Sequence, residues 1–179
     1  MRISRDKSFF IGIDFQEKLV PVMRDKEELV ENASRLFRAA VIHKSPVFFT
    51  QQYTRGIGET ITEIKEAAGM TEYTEKIRFS AYDDLKAVLP AADERPFALI
   101  SGIESHICVL QTAIDLKAAG YQPVIITDCV SSRKKKDYKA ALVRAQQEGI
   151  LLMTSEMLLY ELLETAAAEE RKPIQKILM

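Results

Sequence analysis

The sequence predicts an α/β protein, a three-layer α/β/α Rossmann-like sandwich with helices on both faces of a mainly parallel sheet of about six strands. The first observation is that short apolar runs of strand length alternate with longer segments whose apolar residues recur at helical spacing. The second is that several of these runs are continuous, which is typical of parallel strands buried on both faces. Right-handed helical crossovers join parallel strands, so the alternation predicts helices that cover the sheet. The whole chain, residues 1–179, is predicted to form a single domain.

The N-terminal half contains three of the predicted strands, and two of them end in a charged residue. Asp14 ends the first strand and Lys76 ends the third, which has the weakest apolar signal. Between the second strand and the second helix, we expect a polar loop that contains Gly56 and Gly58. The predicted strands lie at residues 9–14, 47–51 and 73–76, and the predicted helices at residues 27–43 and 60–68.

The C-terminal half is organised around residues 97–110, where an apolar strand leads into a helix. Small residues suit a tight strand-to-helix turn, so we expect the turn at Ser101 and Gly102 and place Cys108 in the first turn or two of the helix, with Gly120 as its C-terminal cap. The other predicted elements are a short helix at 84–89, strands at 124–127 and 150–154, a helix at 138–148, and a last helix capped by Thr154 or Ser155 that runs to about residue 170.

Composition narrows the classes of partner. The 25 basic and 26 acidic residues leave a formal net charge of −1, so no global field favours nucleic acid or an anionic membrane. No apolar run approaches the roughly 20 residues that span a bilayer, and the N-terminus lacks the apolar core of a signal peptide. With only two cysteines in the chain, we expect a soluble, cytoplasmic protein without a nucleic-acid or membrane partner.

Three reactive residues are predicted to meet at one edge of the sheet. Functional sites of parallel α/β sheets lie at the carboxyl ends of the strands. Asp14 and Lys76 end two predicted strands, and Cys108 opens the helix after a third. The architecture therefore predicts that these three side chains converge.

Cys108 has two interpretations at this point. Near a helix N-terminus, the partial positive charge of unpaired N–H groups favours a thiolate, and the same groups can hold an oxyanion. The alternative is a small buried hydrophobic residue, as free cysteines commonly are. Cys129 also follows a predicted strand, but no neighbour in the sequence would activate it, so we interpret it as structural.

Three segments together resemble the signatures of the isochorismatase-like cysteine hydrolases, and the resemblance spans nearly the whole chain. The C-terminal tail resembles the single-domain subgroup of that superfamily. The three signatures are DFQ at 14–16, EKIRFSAY at 75–82 and GIESHICV at 102–109; further matches are SSR at 131–133, GILLMTSEMLLYE at 149–161 and PIQKIL at 173–178.

The resemblance implies a triad of Cys108, Asp14 and Lys76. Asp14 would accept the thiol proton and pass it to the leaving amine, while Lys76 would stabilise the thiolate. The resemblance also implies a cis peptide bond between Ile103 and Glu104, with the N–H groups of Glu104 and Cys108 as the oxyanion hole. The implied activity is hydrolysis of a small amide, ureide or carbamate through a Cys108 acyl-enzyme. The residues expected around the substrate are Gln16, Gln52, Tyr53, Ile103 and Glu104.

Neither a cofactor nor a metal is expected. Where metal-using relatives place Asp and His after the second strand, residues 50–53 read TQQY. Gly56-Ile57-Gly58 lacks the third glycine and the strand-to-helix context of a dinucleotide site, and no phosphate-binding loop is present. His43 lies at a helix end and His106 about 200° around the helix from Cys108, so no Cys-His dyad is expected; His106 is predicted to flank the pocket or face solvent.

Two further expectations concern the surface. The run from Arg133 to Lys136 is predicted to be solvated, although Arg133 could reach a substrate carboxylate from a strand-end loop. The last helix and tail carry more apolar residues than one monomer should bury, which predicts a homo-oligomer. An alternative to the metal-independent amidohydrolase stays open: a non-catalytic or redox-sensing scaffold that uses Cys108 as a reactive thiol.

Overall fold

The computed structural model describes residues 1–178 and contains a six-stranded parallel sheet in the order β3-β2-β1-β4-β5-β6. No helix in this range combines the length and apolar character needed to cross a bilayer. The strands are β1 (Ser8–Ile13), β2 (Val47–Gln52), β3 (Thr74–Lys76), β4 (Phe97–Ile103), β5 (Gln122–Ser131) and β6 (Leu151–Met153). The helices are α1 (Lys26–Ile42), α2 (Thr54–Ile57), α3 (Thr62–Ala68), α4 (Tyr82–Leu85), α5 (Leu110–Ala118), α6 (Lys135–Gln147), α7 (Ser155–Leu163) and α8 (Arg171–Leu178).

The sheet separates two apolar cores, because successive side chains of a strand point to opposite faces. In β1, Phe10 packs in the core shared with α1, α3, α7 and α8, whereas Phe9 and Ile11 pack in the core shared with α4, α5 and α6. All six residues of β1 are buried, as expected for a central parallel strand. The predicted three-layer α/β/α class is confirmed.

The turn predicted at Ser101 and Gly102 is wrong, because β4 continues through both residues to Ile103. Gly102 has φ of +128°, and a Cβ atom there would lie 2.1 Å from the carbonyl oxygen of Ile13. The glycine is therefore required by the close approach of β1 and β4 and not by a turn.

Strand β5 is longer than the predicted 124–127 and contains an irregular stretch. Ile100 pairs with Ile125, but two residues later Gly102 pairs with Val130. The extra residues include Asp128, whose carboxylate accepts hydrogen bonds from Ser155 N (2.8 Å) and Ser155 Oγ (2.6 Å). Polar residues inside this bulge interrupt the apolar run, so the sequence pattern did not predict the part of β5 that follows them.

The C-terminal region has two helices where one was predicted, and it corrects the argument for an oligomer. Helix α7 begins as expected, with Thr154 Oγ1 accepting from Met157 N (3.3 Å), but it ends at Leu163, and α8 follows. The leucines of α7 and Ile174 of α8 are buried within the same chain. Ile177 and Leu178 are partly buried, so most of the apolar surface on which the oligomer was predicted is covered by the chain itself. Two smaller differences are the unpredicted helix α2 and an earlier start for α4.

Candidate active site

Asp14, Lys76 and Cys108 meet at the carboxyl edge of the sheet, as the architecture predicted. Asp14 directly follows β1 in a left-handed conformation (φ 53°), and its N–H donates to the carbonyl of Thr50 (3.2 Å). Lys76 is the last residue of β3. Its Nζ lies 2.7 Å from Asp14 Oδ2, and neither side chain is exposed.

The two oxygens of the Asp14 carboxylate have different environments. Oδ1 accepts a hydrogen bond from Thr50 Oγ1 (2.8 Å). Oδ2 is buried and accepts no hydrogen bond, since its contact with Lys76 is an ion pair without hydrogen-bond geometry. A buried carboxylate oxygen of this kind is available to a further proton donor.

The ammonium of Lys76 has more oxygen neighbours than protons. Besides Asp14, it contacts Gln52 Oε1 (2.7 Å), the carbonyl of Arg78 (3.2 Å) and the carbonyl of Phe79 (3.0 Å). An ammonium carries three N–H donors, and these three neutral oxygens occupy them. Lys76 therefore supplies charge to Asp14 while leaving Oδ2 without a hydrogen bond.

Cys108 lies in a π-helical turn, Ser105–Val109, that precedes α5. The carbonyl of Glu104 accepts hydrogen bonds from the N–H groups of Ile107 (3.0 Å) and Val109 (3.3 Å), which widens the turn. The carbonyl of Cys108 accepts from Thr112 Oγ1 (2.6 Å), and Thr112 Oγ1 in turn accepts from Ala81 N (2.9 Å). These bonds hold the turn against the segment that follows β3.

The Cys108 thiol is a neutral donor in the free protein. Burial and the charge of Asp14, opposed by the charge of Lys76, raise the pKa of Cys108 to about 12. The expectation of a resting thiolate is therefore wrong. Only 7% of the residue is exposed, and loss of solvation outweighs the helix N-terminus.

The peptide bond between Ile103 and Glu104 is cis, as the family resemblance implied. Ile103 is fully buried and exposes neither its side chain nor its backbone, so its predicted place beside the substrate has no support here. The side chain of Glu104 is 9% exposed and pairs with Arg133, whose Nε lies 3.1 Å from both carboxylate oxygens. The run from Arg133 to Lys136 is exposed, as predicted, and Arg133 also pairs with Glu104. His106 is half-buried, and its Nδ1 lies 2.9 Å from Ser132 Oγ.

The contacts of Gln16 and Gln52 do not support the prediction that they bind substrate. Gln16 Nε2 donates to the carbonyls of Gln52 (3.0 Å) and Gly58 (2.6 Å), and its Oε1 accepts from Gln52 N (2.7 Å). Gln52 uses Oε1 for Lys76 and donates from Nε2 to the carbonyl of Ile77 (2.6 Å). Gln16 uses both of its N–H donors on protein carbonyls, whereas Gln52 uses one of its two. These contacts position Lys76 and the adjoining loops.

Tyr53 lies at the mouth of the site beside other exposed apolar residues. It is 51% exposed, and Ile77 and Phe79, which follow Lys76, are 71% and 56% exposed. A cavity of about 610 Å³ adjoins Lys76 and is lined mainly by charged residues of segments 75–78 and 83–86.

Sequence reasoning did not single out Thr50 and Thr112, because a threonine in a strand or helix carries no local sign of the tertiary contact it makes.

Within residues 1–178, no three His, Cys, Asp or Glu side chains are grouped as ligands for a metal ion. The Cys129 thiol lies 3.9 Å from Asp128 Oδ1 and is fully buried. Burial, with the charge of Asp128, raises the pKa of Cys129 well above its usual value.

Comparisons with known proteins agree with this geometry. The model of the isochorismatase domain matches residues 8–157. Isochorismatase domain-containing protein 2A from Mus musculus is 34% identical over 177 residues, which cover 99% of this chain and 85% of that protein. The structure of MAR1 ribonuclease from Caenorhabditis elegans superposes with a TM-score of 0.88 at 30% identity, covering 99% of this chain and 92% of that one.

A third comparison concerns the fold alone. The YcaC gene product of Escherichia coli, described as an octameric hydrolase of unknown specificity, superposes with a TM-score of 0.84 at 23% identity, covering 92% of this chain and 83% of that one. On the domain match and the relatives of similar length, the chain belongs to the isochorismatase family.

Proposed function

We propose that the protein is a thiol-dependent, metal-independent hydrolase that cleaves the C–N bond of a small amide, ureide or carbamate. One observation carries the proposal. Cys108 lies close enough to the buried ion pair of Asp14 and Lys76 for both charges to act on its thiol, and Asp14 Oδ2 is buried and accepts no hydrogen bond. This arrangement provides a nucleophile and a neighbouring base, with Lys76 as the compensating cation.

In the first step, Cys108 Sγ attacks the substrate carbonyl carbon while its proton moves to Asp14 Oδ2. A thiol with a pKa of about 12 needs such a base, because very little thiolate exists at neutral pH. As the carboxylate becomes neutral, the positive charge of Lys76 is left to stabilise the negative charge on the reacting atoms.

In the second half of the reaction, Asp14 returns the proton to the leaving amine nitrogen, and the C–N bond breaks to leave a Cys108 thioester. The N–H groups of Glu104 and Cys108 would hold the oxyanion of each tetrahedral intermediate. Water then attacks the thioester, giving its proton to Asp14, and the thiol regains that proton when the C–S bond breaks. The sum is amide and water to carboxylic acid and amine.

The site is less suited to the alternative of a redox sensor. Redox-sensing cysteines have a lowered pKa and are accessible to solvent. Cys108 is 7% exposed, and its pKa is raised. RNA cleavage, which the name of the nematode relative suggests, serves as a counter-assay.

We further propose that residues 1–179 form one hydrolase domain of a cytoplasmic homo-oligomer that acts on a small molecule. Exposed Tyr53, Ile77 and Phe79 at the mouth of the site support an assembly that covers them. Sedimentation velocity at micromolar concentration tests the assembly, and a monomer would contradict it.

An ammonia-release screen over short amides, ureides and carbamates tests the proposed function. We expect turnover of at least one compound, a transient acyl adduct on Cys108 by intact-protein mass spectrometry, and loss of both in Cys108→Ala. Single-stranded RNA is the counter-substrate. Turnover that persists in Cys108→Ala, or cleavage of RNA with no amide turned over, would contradict the proposal.

A further inference from the structure

The loop between β5 and α6 is bound to the turn that carries Cys108. Ile103 at the end of β4 pairs with Ser131 at the end of β5, so the segments that follow these two strands begin side by side. Arg133 N lies 3.0 Å from Glu104 Oε2, across 29 residues of sequence. Arg133 Nε lies 3.1 Å from each oxygen of the same carboxylate. The half-buried His106 contacts Ser132 next to this pair.

Glu104 is held by both its side chain and its backbone. Its carboxylate is 9% exposed and requires a counter-charge, which Arg133 supplies from a side chain that is 58% exposed. Its carbonyl accepts hydrogen bonds from Ile107 and Val109 on either side of Cys108. The Glu104 N–H belongs to the peptide unit between Ile103 and Glu104. Ile103 is fixed by its pairing with Ser131 in the sheet and Glu104 by these contacts, so this peptide unit is held at both ends.

We propose that Arg133 is a positioning residue, which keeps the Glu104 N–H aimed into the oxyanion hole by holding the Glu104 carboxylate. The inference rests on the proposed function and extends it to the loop after β5. Loss of the guanidinium would leave only the Arg133 N–H on the Glu104 carboxylate, so this end of the peptide unit would be held less firmly and the carboxylate would lose its counter-charge. Both effects oppose the charged intermediate more than they oppose binding of the neutral amide.

The experiment compares two small probes that differ in their need for an oxyanion hole. Propanal accepts the thiol across its C=O bond: a C–S bond forms, and the carbonyl oxygen takes the negative charge or the thiol proton. Propanamide resembles the bound amide before attack. For each probe, the protection of Cys108 against iodoacetamide gives a protection constant, so turnover is not needed.

In Arg133→Gln, we expect the constant for propanal to weaken at least about 10-fold more than the constant for propanamide. Arg133→Lys, which keeps the charge, should recover part of this difference. Glu104→Gln removes the charge but keeps an acceptor, so we expect a smaller effect. The double variant should lose no more than Arg133→Gln alone, because both residues act through one pair.

The matched control is Arg144→Gln. Arg144 Nε pairs with Glu148 (2.6 Å) on α6 and is 57% exposed, so it offers the same kind of pair at nearly the same exposure. Both constants should stay unchanged in this variant. Equal weakening of both probes by Arg133→Gln, or no weakening, would overturn the inference while the hydrolase proposal stands. If propanal does not protect Cys108 in the unaltered protein, the proposed function fails first and the inference with it.

Discussion

Cys108 and Cys129 are both buried near an aspartate, but the two aspartates differ in their hydrogen bonds and ion pairs. Both are buried, and the charge of a nearby aspartate at the carboxyl side of the sheet raises the pKa of each thiol. Asp128, beside Cys129, uses both oxygens for Ser155. Asp14, beside Cys108, keeps one oxygen without a hydrogen bond and has Lys76 as a counter-ion. A reactive cysteine here requires an acid that is compensated in charge but free to take a proton.

The strongest test exchanges the two acids for their amides. Asp14→Asn should lower turnover by about 10²- to 10⁴-fold, because the amide cannot carry the thiol proton. Asp128→Asn should keep turnover and lose about 1 kcal/mol of stability through its weakened bond to Ser155. The measurements are ammonia release and chemical denaturation. Comparable activity losses in both variants would break the distinction between the two sites.

Lys76→Met removes the cation that pairs with Asp14 beside Cys108. We expect turnover to fall about 10²-fold, since the electrostatic stabilisation of the reacting atoms is lost. The free energy of unfolding should drop by about 3–5 kcal/mol, because Asp14 becomes a buried charge without a partner. Urea denaturation and kinetics check the two values. As a control, Lys65→Met removes a partly exposed cation that pairs with Glu59 outside the cavity beside Lys76, and it should change neither appreciably.

Alkylation against pH sharpens the comparison further. With a pKa of about 12, Cys108 should react slowly with iodoacetamide at pH 6, and its rate should rise about 10-fold per pH unit up to pH 9. Cys129 is fully buried and should react only on unfolding. Peptide mass mapping assigns the sites. A rate for Cys108 that reaches its plateau by pH 7 would restore the resting thiolate expected from the sequence.

The smallest expected effect concerns the pH dependence of stability, which we attribute to His43 and not to the residues of the site. His43 is buried with both ring nitrogens unpaired, and its burial and the charge of Arg5, opposed by Glu170, lower its pKa below 6.5. The unfolded chain therefore binds the proton more readily, so this contribution is complete above about pH 6.5 and is lost as the pH falls below it. His43→Leu should flatten thermal stability between pH 7 and 5. An unchanged slope would assign the effect to another group.

Much of the fold follows from local patterns, whereas most of the chemistry depends on contacts. The apolar runs of β1, β2 and β4 are continuous, so they could be located from sequence, and with them the meeting of Asp14, Lys76 and Cys108. The length of β5 could not, because Thr127 and Asp128 interrupt its apolar run. Its continuation depends on pairing with β4 beyond the bulge.

The state of the Cys108 thiol was outside the reach of sequence reasoning for a similar reason. A helix N-terminus is visible in the sequence, but the loss of solvation that outweighs it arises from packing. The hydrogen bonds of Gln16 and Gln52 and the pair of Glu104 with Arg133 join residues far apart in the chain. No local signal distinguishes such residues from ones that bind a substrate.

The glycine at position 102 restricts which changes this chain can accept. Any side chain there would overlap the Ile13 carbonyl and push apart the two strands that lead to Asp14 and to Glu104. A substitution at this one position would thus move the backbone of both residues together. The loops around Tyr53 and Phe79, whose side chains are half exposed, can accept substitutions without disturbing the junction of β1 and β4.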